Sequence, residues 1–244
     1  MKKGFMRLSR EIKSIIVIVL ILTFIFAFDD GKPSLILKDW FLNFFYVLIL
    51  VLLTVLFNSF GYKLMAKYLG TEVEIRVWNS EKFEGRFSLS KLHKYIFSPV
   101  LGVLIMLFSN GKIFFTAVST FDIKNYNMFG RKFPKLTEFN VGLIATFGLF
   151  FNLILMILFK ALSIDKGVFI NSWFIAWSLL PFSNLPGAKI FFASRSLYVF
   201  SLIFFIANIL LIPSLPLLYA ILSSFVLSSL LAIAYFYFLE YLKA

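Results

Sequence analysis

The run from Trp40 to Tyr62 reads WFLNFFYVLILVLLTVLFNSFGY, 23 residues without one charged side chain. At 1.5 Å per residue such a helix covers about 34 Å, enough to cross a hydrocarbon layer of about 30 Å. The rest of the chain agrees. Of its 244 residues, 61% are hydrophobic and 15% charged, Phe alone accounts for 34, and the mean hydropathy is +0.92. Soluble domains carry roughly 45–50% apolar and about 25% charged residues. This composition excludes an ordinary soluble protein, a disordered chain, a coiled coil and a free-standing nucleic-acid binder. It reads as an all-α integral membrane protein with the lipid bilayer as its first partner.

Working outward from that run, apolar stretches recur at Phe139 to Phe159, Val168 to Pro186, Leu197 to Ile212 and Leu217 to Leu239. Ser14 to Phe28 follows a basic amino terminus, and Asp29, Asp30 and Gly31 stand where a signal peptide would carry small cleavage-site residues, so the segment reads as an uncleaved anchor. Phe97 to Ser109 has only 13 residues and reads as a re-entrant segment. With six transmembrane helices and that re-entrant segment, 20 Lys and Arg residues fall on the cytoplasmic side and four (Lys32, Lys38, Lys160, Lys166) on the other. This split obeys the positive-inside rule and sets both termini in the cytoplasm. The expected organisation is a single membrane domain: two spans in 1–62, a cytoplasmic β element around the re-entrant segment in 63–138, and four spans in 139–244.

Within 63–138, Glu72-Val73-Glu74-Ile75-Arg76-Val77 alternates with a period of two and predicts a strand with one wet face. Ile113 to Ser119 is a second candidate strand. An unpaired edge at Val73, Ile75 and Val77 could accept an extended client by backbone hydrogen bonds.

Three stretches go beyond generic membrane character. The first is Phe57-Asn58-Ser59-Phe60-Gly61-Tyr62-Lys63-Leu64-Met65-Ala66-Lys67-Tyr68-Leu69-Gly70, with positions 58 and 62 on one helix face. The second is Gly148-Leu149 with Asn152, and the third is Leu179-Leu180-Pro181-Phe182-Ser183-Asn184-Leu185-Pro186-Gly187-Ala188-Lys189. In order and spacing, over about 140 residues from Asn58 to Arg195, they resemble the motifs of the site-2 protease family of intramembrane zinc metalloproteases. In that resemblance Asn58 and Tyr62 occupy the places of the two zinc-binding histidines, Ser59 that of the catalytic glutamate, and Pro186 that of the aspartate ligand. Gly61, Ala66, Gly70 and Gly148 match, and Leu149 replaces a proline.

Zinc requires three good protein donors, and its bound water requires a base. An amide, a phenol, a hydroxyl and a proline supply neither. The resemblance therefore implies a pseudoprotease that has lost zinc, retains no catalytic residue and binds membrane-associated polypeptide, with Asn152 and Asn184 as retained substrate-binding candidates. The absence of cysteine and the single His93 exclude thiolate and multi-histidine sites.

Other chemistries are weaker. Ser59 and Lys63, four residues apart, could form a Ser-Lys dyad of an unorthodox protease only with a desolvated lysine. Ser88 with Lys91 is a chance match, and His93 reads as a surface residue. A transporter-like or purely structural membrane protein is the rival class, but the span cores hold no ionisable group. Ala220, Ser224, Ser228 and Ala232 place a small residue every fourth position on the last helix, a pattern for close packing inside the bundle or in a homo-oligomer.

Overall fold

The computed structural model describes residues 2–28, 37–78, 101–109, 111–124 and 136–241. Helix α1 (Lys2–Ala27) starts well before the apolar anchor, because the Lys, Arg and Glu residues ahead of it are good helix formers. Helix α2 (Leu37–Tyr68) has 32 residues. Its buried positions, among them Val47, Val51, Thr54, Asn58, Tyr62 and Met65, recur every three to four residues and mark one core-facing stripe.

Gly70, at φ 71°, ends α2: the Thr71 N–H reaches the Ala66 carbonyl at 2.8 Å and the Gly70 N–H that of Lys67 at 3.1 Å. This six-to-one and five-to-two closure requires a left-handed residue, which explains a glycine there without appeal to any motif. Strand β1 (Glu72–Val77) follows at once and pairs antiparallel with β2 (Ser119–Lys124), Ile75 opposite Phe121. The second strand thus begins where the sequence placed its end. Residues 113–118 instead run irregularly, with Phe114 and Phe115 against Trp173 and Trp177 and the Thr116 hydroxyl donating to the Trp173 carbonyl at 2.9 Å. Their apolar character reflects burial against a helix.

Helix α3 is described over 101–108. The first residues of the expected re-entrant segment, 97–100, lie outside the described residues. Helices α4 (Glu138–Ala161), α5 (Asp165–Ser178), α6 (Pro186–Ala193), α7 (Arg195–Leu211) and α8 (Leu217–Tyr235) complete the bundle, and α8 runs into a π-helical turn, Phe236–Tyr241. Thr137 caps α4, and Ser194 closes α6 while capping α7. Helices α2 and α4 pack at the centre, with α1 on α2, α5 and α6 on α4, and α8 outermost on α7.

Among the described residues three helical segments are long and apolar enough to cross a bilayer, namely Leu37–Tyr68, Glu138–Ala161 and Leu217–Phe238, and they point to membrane association. Two other elements expected as spans are shorter: α5 has 14 residues, about 21 Å of helix, and α7 has 17. The α2 face carrying Phe41, Phe45, Ile49 and Leu56 and the α8 face carrying Leu218, Leu222 and Val226 are exposed, as suits side chains solvated by lipid.

The small-residue stripe on α8 turns inward. Ala220, Ser224 and Ser228 are buried within the chain, where α8 packs against α7, and the Ser224 hydroxyl returns to the Ala220 carbonyl at 2.5 Å.

Candidate functional site

The first two motif stretches meet where α2 crosses α4. A Cβ on Gly61 would fall 2.7 Å from the Phe147 carbonyl oxygen and 3.0 Å from Gly148 Cα. One on Gly148 would collide with the Tyr62 ring. Only glycines allow this approach. Phe60 rests on Phe151 with ring centroids 5.3 Å apart, so numbers rise along α2 as they fall along α4 and the helices are antiparallel. One turn from this crossing on each helix, Asn58 and Asn152 therefore lie at the same depth, each on the facing stripe.

Thr54, Asn58 and Tyr62 form a line four residues apart on α2, all at most 1% exposed. The Asn58 and Tyr62 side chains are hydrogen-bonded to each other. One turn beyond, the Asn171 amide of α5 donates to the Thr54 hydroxyl at 3.1 Å and to the Gly167 carbonyl at 3.0 Å, while Thr54 donates to the Leu50 carbonyl at 2.9 Å. Asn152 and Asn171 are fully buried. Among the described residues no partner is present for Asn58 Nδ2, for either polar atom of Asn152, or for Asn171 Oδ1. Three helices thus enclose a polar seam holding two donors and two acceptors that are unpaired, none on an ionisable group. Thr54 and Asn171 were not singled out in the sequence, although polar residues at 54, 58 and 62 on an otherwise apolar helix carry the signal.

At its sheet-side end the seam is covered by β2. The Phe121 ring lies against Tyr62, centroids 4.5 Å apart, and is fully buried. Lys189 of α6 stands 3.7 Å above the same ring, donates to the Thr120 hydroxyl at 3.2 Å and also donates to the Phe121 carbonyl. Thr120 in turn donates to the Asn184 carbonyl at 2.5 Å. The chain turns sharply there, with Ser183 in the left-handed region at φ 55°. Burial pulls the Lys189 ammonium down to a pKa of about 8, with Asp122 opposing the shift. Nothing in the sequence marks Phe121, and Lys189 enters only as the last residue of the third stretch, since the roles of both arise from contacts between distant segments.

The remaining expected residues separate. The Ser59 hydroxyl donates to the Val55 carbonyl at 2.7 Å, while Lys63 pairs with Glu11 at 2.7 Å and is half exposed. The hydroxyl proton is directed into its own helix and the lysine is neutralised by a carboxylate, which is not the geometry of a dyad. Pro186 is buried at the first turn of α6, where its missing N–H costs nothing, and a Cβ on the adjacent Gly187 would strike the Leu179 carbonyl.

The outer edge of β1 is not wholly open: the Ile75 N–H reaches Glu11 Oε1 at 3.5 Å, Ile75 is fully buried, and α1 packs alongside. Val73 is buried and Val77 partly so. Ser88, Lys91 and His93 lie outside the described residues.

These positions do not fit zinc. Asn58 and Tyr62 bind each other, Ser59 is committed to a backbone carbonyl, Pro186 has no donor atom, and among the described residues no three His, Cys, Asp or Glu side chains cluster. Compared with family models, curated proteins and solved structures, the chain finds no match.

Proposed function

We propose that this chain is a non-catalytic relative of the site-2 proteases, a six-span membrane protein with both termini in the cytoplasm, that binds membrane-embedded polypeptide without cutting it. The observation that carries the reading is the seam, with unpaired amide atoms on Asn58, Asn152 and Asn171 enclosed by three helices.

A buried polar group lacking a partner costs about 1–3 kcal/mol by mutational measures, and the same holds for the N–H and C=O groups of a helix that unwinds inside a bilayer. Pairing the two sets relieves both penalties. The seam offers donors and acceptors together, which matches the peptide group, and it carries no charge that would demand an ionic ligand. Its own amides, hydroxyl and phenol are neither good zinc ligands nor bases near neutral pH.

The test uses purified protein in lipid nanodiscs and two fluorescent transmembrane peptides, one an uninterrupted Leu/Ala helix and one with a central Asn-Gly break. The broken peptide should bind preferentially and be recovered uncut, and Asn152→Leu should erase the preference. Equal binding of both peptides, or cleavage by the wild-type chain, would overturn the reading.

A further inference from the structure

We infer that β2 is an internal plug: the Phe121 ring closes the sheet-side end of the polar seam, and Lys189 is the latch that holds the plug against α6. The inference rests on the seam being a site that ligands enter.

Tyr62 is the last member of the Thr54-Asn58-Tyr62 line, and Phe121 is the residue laid across it. Both rings are almost wholly withdrawn from solvent. With β2 in place, the helices close the seam from the sides and Phe121 closes it from the end, so a ligand arriving from the sheet side must displace the strand.

The way β2 is held suits displacement. Among the described residues the sheet has two strands, an arrangement marginal by itself, so the position of β2 depends on what it docks against. Part of that docking is polar. Lys189 donates to Thr120 and to the Phe121 carbonyl, and Thr120 donates to the Asn184 carbonyl. An incoming polypeptide offers the same kinds of group, carbonyls for the lysine and an N–H or hydroxyl for Asn184, so it can exchange for β2 with little net loss of hydrogen bonds. Displacing β2 also opens its ladder to β1 and exposes Phe121, so the open form is a minor population that weakening of the polar contacts enlarges. The same lysine contacts both the ring and the backbone of the plug, so removing it weakens closure at two points.

The chain has no cysteine, which makes accessibility directly measurable. With Asn58→Cys or Thr54→Cys as reporter, purified protein in nanodiscs is treated with a small water-soluble maleimide. Labelling should be slow with β2 unaltered, and Phe121→Ala and Lys189→Met should each speed it about tenfold or more, as the population with the plug displaced rises. Lys189→Met preserves ring and apolar volume should Phe121→Ala fail to fold. Phe191→Ala, on α6 but packed against Tyr198, should leave the rate unchanged.

Rates equal in all backgrounds, or fast labelling with β2 intact, would overturn the plug, as would acceleration by Phe191→Ala to the same degree. Because labelling involves no peptide, a plug-dependent rate in a protein that fails to bind either peptide would refute the proposed function and leave the plug standing.

Discussion

Tyr62 lies across Gly148, its ring in the space that any side chain on residue 148 would need. With the close approach of Gly61 to Gly148, this contact joins the first two motif stretches, one turn from Asn58 and Asn152. Tyr62→Ala should cost about 3–5 kcal/mol, the usual range for deleting a buried ring, and Gly148→Ala should also destabilise by forcing α2 and α4 apart. Combined, the two should cost less than the sum of the single changes, because the cavity left by one accommodates the methyl of the other. Thermal unfolding in detergent of the four proteins provides the cycle. Strict additivity would mean that the two residues do not share this space.

The depressed pKa of Lys189 predicts a pH dependence of stability. Its folded value is about 8 against an ordinary 10.5, so between those limits the unfolded chain binds the proton and the folded chain does not. Stability contributed by this group therefore rises as pH increases from about 8 towards 10.5 and is flat below that window. Compared with Lys189→Met, the wild type should gain in melting temperature over this range. Parallel pH profiles for the two proteins would contradict the shift.

Much of the fold is legible in the sequence because hydrophobic length and period are local. The uncharged run at 40–62 is the core of α2, and the alternation at 72–77 is β1. The second strand is not legible, because Ile113 to Ser119 is apolar for a different reason, packing against Trp173 and Trp177, while the β1 partner begins at Ser119. Half of the site could be read from spacing, since Asn58 and Tyr62 must share a helix face. Phe121 and Lys189 could not, because residues 62, 121 and 189 are brought together only by the tertiary fold. The outer edge of β1 was likewise read without its neighbour Glu11, 64 residues away from Ile75.

A conformational cost is visible at the end of α4. Ser163 takes the left-handed position, φ 58°, with the Ile164 N–H bonded to the Phe159 carbonyl at 2.8 Å and its own N–H to that of Lys160 at 3.1 Å. A Cβ is disfavoured there by roughly 1–2 kcal/mol. Ser163→Gly should therefore stabilise the protein by up to about 1 kcal/mol, the relief being partly offset by the greater freedom of glycine in the unfolded chain. A lowered melting temperature would show that the serine side chain does more than tolerate this turn.

Glu11 binds three elements together, since it lies in α1, pairs with Lys63 of α2 and accepts from the Ile75 N–H of β1. Its carboxylate is mostly buried while Lys63 is half exposed. Lys63→Ala strands a charge with reduced solvation and should cost more than the ~1 kcal/mol ceiling of ordinary surface pairs. Glu11→Gln, which keeps an acceptor for Ile75 and strands no buried charge, should cost less than Lys63→Ala. The reverse order in thermal unfolding would contradict this role.

The most direct test of the central claim, that the motif positions build an uncharged binding site in place of a metal centre, is the zinc content of the purified wild-type chain after dialysis against metal-free buffer. The wild type should hold no more zinc than an Asn58→Leu, Tyr62→Phe variant, because an amide and a phenol already bonded to each other leave no ligand set. Stoichiometric zinc in the wild type that disappears in the double variant would contradict it.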